Sequence, residues 1–216
     1  PIGYTLVELR NEVAGSTSAC FEHQIDYVVT KMPRWTFEKF PEADETLTTQ
    51  MKSVGEAMAI GRTFKESLQK VIRSMDVKRF GLGLDKNDKW LAAMRAVERD
   101  QLVLDVSSGA APGQGSAAAT GLKTADGQPI EWPIPLEKLS RKIAVPCQGR
   151  LYYIRYAFKM GWTIEQVRKI SNIDPFFLDQ ILQLVEFEDV LCSYPNLESV
   201  PADVLLQAKQ NGYSDP

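Results

Sequence analysis

The spacing of apolar residues changes along the chain and predicts a short β region followed by helices. Residues 53–61 alternate between bulky and small side chains, as on the two faces of a strand. Residues 25–32 are rich in β-branched and aromatic side chains and predict an earlier strand that Pro33 ends. Residues 35–40 alternate and predict either a second strand or a continuation of the first. Small side chains let another backbone come close, so the pattern predicts that strand 53–61 is buried on both faces.

Helical spacing with recognisable end signals predicts most of the remaining ordered structure. Thr63 and Thr163 each begin a capping box, in which the threonine and a side chain three residues later cap the first turn. Asp88 can cap the helix that follows it. Asp174 followed by Pro175 is a typical helix start, and Gly161 is a typical helix end. The predicted helices cover residues 6–13, 63–75, 89–100, 150–160, 163–171, 175–192 and 201–211.

Residues 105–130 interrupt this pattern. They are rich in glycine, alanine and serine and predict a flexible insertion, because such a segment buries too little apolar surface to offset its chain entropy. A phosphate-binding loop is a poor alternative, since Leu122 separates Gly121 from Lys123 and no glycine stands five residues before Gly121. The pattern as a whole predicts an α+β chain with a small strand-containing region before a helical one.

Composition and charge exclude several classes of function. The net charge of -3 gives no long-range attraction to phosphates, so neither a nucleic acid nor an anionic membrane is expected as a partner. Helices 163–171 and 175–192 have the order of a helix-turn-helix, but the second is acidic and would repel DNA. No apolar run is long enough to span a bilayer, and residues 1–5 lack the features of a signal peptide. We therefore expect a soluble intracellular protein whose first residue is an internal cut in a longer chain.

Histidine and cysteine counts limit the possible chemistry. His23 is the one histidine, which excludes a histidine-rich metal site. A Ser-His-Asp triad would need His23, which lies in a loop-like stretch with no nucleophile motif near it. The three cysteines are far apart and form no Cys-x-x-Cys pair, so neither a disulfide framework nor a structural zinc site is expected.

Glu56 is the one residue of the predicted strand 53–61 that calls for a specific explanation. It shares a face with Val54, Met58 and Ile60, and a carboxylate among apolar neighbours is costly unless it is paired or hydrogen-bonded. One hypothesis is a structural partner, either the backbone or an arginine such as Arg62. The other hypothesis is an acid that lines a cavity or tunnel.

Several stretches resemble the large subunit of carbamoyl phosphate synthetase. The resemblance is ordered and nearly ungapped over residues 2–75, looser over 150–216 and poor over 77–149. The stretches that carry it are Gly-Tyr-Thr-Leu at 3–6, Ile-Asp-Tyr-Val-Val-Thr-Lys-Met-Pro-Arg at 25–34, Phe-Glu-Lys-Phe at 37–40, Thr-Thr-Gln-Met-Lys-Ser-Val-Gly-Glu-Ala-Met-Ala-Ile-Gly-Arg-Thr at 48–63, Glu-Ser-Leu-Gln-Lys at 66–70, Asn-Ile-Asp at 172–174 and Gly-Tyr-Ser-Asp at 212–215.

The resemblance implies a position inside a larger enzyme. Residues 1–75 would be the C-terminal α/β end of the first ATP-grasp unit, which makes carboxyphosphate from bicarbonate and ATP. Residues 76–216 would be the all-α oligomerisation domain, with the flexible insertion at 105–130. The family's complete enzyme is a ligase that uses ATP with Mg²⁺ and K⁺ and makes carbamoyl phosphate for arginine and pyrimidine biosynthesis, in a cytoplasmic or plastid compartment.

The resemblance also implies which site residues and partners to expect. The family's ATP contacts and magnesium ligands lie upstream and no Glu-x-Asn-Pro-Arg run is present, so we expect no catalytic, cofactor-binding or metal residue here and no activity of the chain alone. Met51, Val54 and Glu56 match the family stretch that faces the internal passage for carbamate. The implied partners are the remainder of the large subunit, another large subunit and the glutaminase small subunit that supplies ammonia.

Two other functions stay open. The chain could be a stand-alone helical interaction module derived from that enzyme and serving another complex. It could also be an ATP-dependent enzyme complete in itself, but this requires phosphate-binding elements that the sequence does not offer.

Overall fold

A computed structural model describes residues 2–22, 25–35, 37, 40, 42–100 and 131–215, with the side chains of 96–100 excepted. The predicted insertion at 105–130 lies outside the described residues. The described part contains two strands and seven α-helices, and none of its helices is long and apolar enough to cross a membrane. The elements are β1 Val28–Trp35, β2 Ser53–Gly61, α1 Phe64–Ser74, α2 Lys89–Asp100, α3 Leu136–Ala144, α4 Arg150–Lys159, α5 Ile164–Ser171, α6 Pro175–Cys192 and α7 Ala202–Gln210.

The two strands form an antiparallel sheet in which Val28 pairs with Gly61 and Pro33 pairs with Glu56. The prediction of strand 53–61 is confirmed to the residue. The prediction that Pro33 ends the earlier strand is wrong, because β1 continues to Trp35. A two-stranded sheet leaves alternate backbone N–H groups pointing away from the partner strand, where a proline costs no ladder bond.

Helix α1 packs on the face of β2 that carries small side chains. Ala59 and Gly61 are buried there, and a Cβ atom on Gly61 would lie 2.7 Å from the backbone nitrogen of Ser67. The hydroxyls of Thr30 and Ser67 share a hydrogen bond of 2.6 Å between sheet and helix. The predicted close approach of another backbone is therefore confirmed, and glycine is required at the contact.

The main core lies among the helices, with α1 contributing Val71 and Ile72. The capping box of α5 is complete, and Asp174 caps α6 as predicted. In α1, Thr63 caps the amide of Glu66, but the Glu66 carboxylate accepts from the amide of Arg62. Fully buried members of this core from four helices are Leu139, Ile143, Ile154, Ala157, Val167, Leu178 and Leu184.

One predicted helix is absent, and one helix of the structure was not predicted. No helix forms over residues 6–13, because the chain makes a turn after Thr5 and returns to a bridge between Arg10 and Ser18. Helix α3 was not predicted, although Leu136, Leu139 and Ile143 have helical spacing in it.

Candidate functional site

Met51, Val54 and Glu56 lie together at one end of the β1–β2 sheet and point to solvent. Val54 and Glu56 share a face of β2, and Met51 comes two residues before that strand. Met51 is 88% and Val54 is 52% exposed. The prediction that β2 is buried on both faces is therefore wrong for this chain, since its bulky face is open to solvent.

The partner of Glu56 is a lysine rather than an arginine. Its carboxylate lies 2.9 Å from the Lys31 ammonium, with more than half of each side chain exposed. Arg62, the expected partner, lies instead 3.7 Å from the carboxylate of Asp26. Glu56 is thus paired at an open surface, and the carbamate-passage hypothesis for it stays a prediction.

The exposed face of the sheet is largely apolar. Cross-strand partners share a face, so Val29 lies beside Ile60 and Lys31 beside Met58. Met58 is 64% and Ile60 is 55% exposed, although both belong to a strand whose other face packs on α1. We name Val29, Val54, Met58 and Ile60 the open sheet face. Exposed apolar side chains grouped on one face, here around the Lys31–Glu56 ion pair, are typical of a contact with another protein surface.

Metal and thiol chemistry has little support in the described part of the chain. Across residues 2–22, 25–35, 37, 40, 42–100 and 131–215, no three His, Cys, Asp or Glu side chains are grouped as metal ligands. The three cysteines are free thiols, and burial raises the pKa of the Cys192 thiol above its ordinary value. A raised pKa leaves less of the reactive thiolate at neutral pH.

A buried charge cluster lies between α4, α6 and the start of α2, and the sequence analysis did not anticipate it. The side chains of Arg155 in α4, Asp88 before α2 and Glu188 in α6 are completely buried. The Arg155 Nε atom donates to both carboxylate oxygens of Glu188, at 2.9 and 3.1 Å. Its Nη1 atom donates to Asp88 at 3.0 Å, and Nη2 donates to Glu188 at 2.6 Å and lies 2.7 Å from Asp88. One guanidinium therefore joins three segments of the chain.

Electrostatics keep the Arg155 guanidinium ionised. Burial lowers the pKa of Arg155, but the carboxylates of Glu188 and Asp88 outweigh burial and raise that pKa above its ordinary value. Lys159 adds a second cation, 3.3 Å from Glu188 and 4.1 Å from the ring centre of Trp90.

Sequence patterns contained only part of the signal for this cluster. Asp88 was predicted as the cap of α2, which is confirmed by its bonds to the amides of Trp90 and Leu91. Arg155 follows Leu151 by four residues and so lies on the same side of α4 as an apolar position. That position could have suggested a buried cation, but its two partners come from distant parts of the chain.

Comparison with known proteins identifies a matching family and several similar proteins. The chain matches the family described as "Carbamoyl-phosphate synthetase large chain, oligomerisation domain" over residues 56–106 and 117–216. It is 43% identical over 214 residues to the carbamoyl phosphate synthase large chain of Rhodopirellula baltica and 38% identical over 217 residues to that of Archaeoglobus fulgidus, in each case over 99% of this chain and 16% of the relative. It is 40% identical to the N-terminal section of the large chain of Aquifex aeolicus, of which it covers 30%. The chain thus spans a small part of the curated relatives that it matches.

Proposed function

The chain belongs to the carbamoyl-phosphate synthetase large-chain family, and we propose that it is a structural and oligomerising portion of such an enzyme. The observation that carries this proposal is the open sheet face. Its apolar side chains are exposed, whereas the helices of the same chain already pack around a buried core. A surface of this kind costs free energy while it faces water and gains free energy when another surface covers it.

We propose two parts within the chain. Residues 1–75 form the end of the first ATP-grasp unit and residues 76–216 form the oligomerisation domain. Support comes from α1, which packs on the sheet through Ser67 and on α6 through Phe64, whose ring centre lies 5.2 Å from that of Phe177. Because one helix serves both contacts, the ATP-grasp end and the helical domain would move as one body.

The reaction itself would be performed by other parts of the large chain. In this proposal bicarbonate, ATP with Mg²⁺ and K⁺, and ammonia from a glutaminase small subunit are handled outside the present segment. The segment would hold those parts at a fixed distance and contact another large chain.

A local role is proposed for Met51, Val54 and Glu56 as lining of the passage for carbamate. Met51 and Val54 offer an apolar wall at an open surface, and Lys31 balances the charge of Glu56. An anion such as carbamate would pass a neutralised carboxylate more easily than a free one, because like charges repel.

The passage role has its own test in the complete enzyme that contains this segment. Val54→Phe narrows the space above the strand, and we expect bicarbonate-dependent ATP hydrolysis to continue while carbamoyl phosphate synthesis falls. Val190→Phe, at a half-exposed position of α6 outside the open sheet face, is the matched control and should leave both rates equal to those of the parent. Equal loss of both rates in Val54→Phe would contradict a role in passage.

Self-association tests the oligomerising role. Light scattering of this chain across a concentration series should show a dimer or larger species that dissociates on dilution, because a modest apolar interface is sensitive to concentration. A strict monomer would refute self-association by this segment.

A second function is a stand-alone helical interaction module, and the closed helical core favours it as an alternative. Binding to a large chain that lacks this segment separates the two functions. Such binding is expected if the segment belongs to the enzyme, whereas a stable monomer that fails to bind would favour the independent module.

A further inference from the structure

The loop between α1 and α2 folds directly over the Arg155 guanidinium. A Cβ atom on Gly83 would lie 2.2 Å from the Cζ atom of Arg155, so only glycine lets the backbone approach this closely. The next residue, Leu84, has a φ of 61°, a left-handed conformation that is costly for a leucine. Its amide donates to the Oδ2 atom of Asp88 at 2.9 Å, which holds the loop in this conformation.

Asp88 joins this loop, helix α2 and Arg155 through one carboxylate. Its Oδ1 atom accepts from the amides of Trp90 and Leu91, at 3.0 and 3.4 Å, and from Arg155. Its Oδ2 atom accepts from Leu84 and lies 2.7 Å from the Arg155 guanidinium. The loop conformation, the first turn of α2 and the contact with the helical body therefore depend on the same two oxygens.

The described side chains of helix α2 make few other buried contacts. Among its described side chains, residues 89–95, Ala93 alone is buried, whereas Trp90 and Met94 are half-buried against the core. Its polar links include a bond of 3.1 Å from the amide of Lys89 to the hydroxyl of Tyr156 and one of 2.7 Å from the Lys89 ammonium to Glu131. Few buried contacts are typical of a segment that opens separately from the global unfolding of a protein.

We propose that Arg155, Asp88 and Glu188 form a latch by which loop 80–88 and α2 are held on α4 and α6 and released as one unit. Glu188 fixes the guanidinium to α6, and the opposite side of the same guanidinium binds Asp88. Opening the latch exposes Arg155 at the Asp88 side only, so α4 and α6 stay joined through Glu188. The device is independent of the enzyme to which the segment belongs, because it rests on contacts within this chain.

Amide hydrogen exchange of the full chain tests the latch. Gly83→Ala forces a methyl group against the guanidinium without changing any charge, and Gly55→Ala is the matched control because nothing lies within 4 Å of its added Cβ. In Gly83→Ala we expect the amides of loop 80–88 and α2 to exchange about tenfold faster. The free-energy cost of forcing an extra methyl group into a filled space is typically of this size. The amides of α5 and α6 should keep their parent rates, and Gly55→Ala should match the parent throughout.

A second pair of variants removes the charge and keeps the cap. Asp88→Asn still offers an oxygen to the first turn of α2, and Asp174→Asn makes the same change at the exposed cap of α6, where no arginine is bound. We expect Asp88→Asn to speed exchange in loop 80–88 and α2 by about tenfold or more, because the buried Arg155 loses one of its two carboxylate partners. Asp174→Asn should change no amide by more than a few fold.

Two results would overturn the proposal. Equal acceleration in α2, α5 and α6 would show that the cluster stabilises the whole domain rather than one segment, and so would a failure of Gly83→Ala or Asp88→Asn to fold. Parent-like exchange of α2 in both variants would show that apolar contacts alone hold this helix.

Discussion

Replacing Arg155 by methionine removes the one cation that both buried carboxylates share. Methionine fills much of the volume of the arginine stem, so the loss is chiefly electrostatic. Asp88 and Glu188 are both fully buried, and an unpaired buried charge of this kind costs about 3–5 kcal/mol. Typical proteins have about 5–15 kcal/mol of stability in total, so Arg155→Met should lose about a fifth or more of it.

Urea unfolding followed by tryptophan fluorescence and helical circular dichroism measures this loss. For a chain of this size the same change lowers the melting temperature by about 6–20 °C. Arg155→Lys is the control that keeps the charge and loses the forked geometry, so its stability should lie between those of the parent and Arg155→Met. A loss below about 1 kcal/mol in Arg155→Met would refute the reasoning. A loss of that size is typical of removing an exposed ion pair, not a buried one.

The pH dependence of the same variant gives a second check. Without Arg155, the buried Asp88 carboxylate is left without a cation, whereas Glu188 keeps Lys159 at 3.3 Å. The destabilisation is then fully present where the folded Asp88 carboxyl is ionised and shrinks as it takes up a proton. We expect the stability difference between the parent and Arg155→Met to decrease as the pH falls from 7 to about 5. A difference that stays constant over this range would contradict an unpaired, buried carboxylate.

The remaining predictions concern a helix cap, the open sheet face and one surface carboxylate. Thr163→Ala removes the hydroxyl that accepts from the Gln166 amide and should cost about 1 kcal/mol in urea unfolding, whereas Thr163→Ser should be close to the parent. Ile60→Lys should change the free energy of unfolding by less than about 0.5 kcal/mol, because the side chain is exposed, and should weaken the self-association seen by light scattering. Burial acts to raise the pKa of Glu131, but hydrogen bonds from two lysines prevail and lower it. The stability of the parent should therefore exceed that of Glu131→Gln at pH 7, and this excess should vanish as the pH falls below about 4, in acid titrations followed by circular dichroism.

Local chemistry explains which parts of the fold were predictable. The caps at Thr163 and Asp174 depend on residues within three positions, so the sequence contains the whole interaction. Strand β2 was predicted at its true bounds because small and bulky residues alternate along it. Helix α3 was overlooked although its apolar spacing is regular, since it is short and follows the glycine-rich segment.

The open sheet face and the Arg155 cluster show why the rest was not predictable. Alternation indicates that β2 has two distinct faces, but it does not identify what covers the bulky one. Arg155 finds its partners 67 residues before and 33 residues after it in the chain, and no local pattern encodes such a meeting. The partner of Glu56 was misjudged for the same reason, because Lys31 reaches it across the sheet rather than along β2.

The β1–β2 sheet and helix α2 are attached to the helical body by different physical means. The sheet is attached by small side chains against α1, where apolar contact and close backbone approach act over a broad surface. Loop 80–88 and α2 are attached by the buried side chain of Leu82 and by one ionised cluster, whose contribution depends on geometry and falls sharply when any member moves. A force transmitted through the open sheet face would thus move the sheet and the helical body together. A disturbance at α2 would open one segment and leave the other contacts in place, so the two regions are expected to respond independently to mutation.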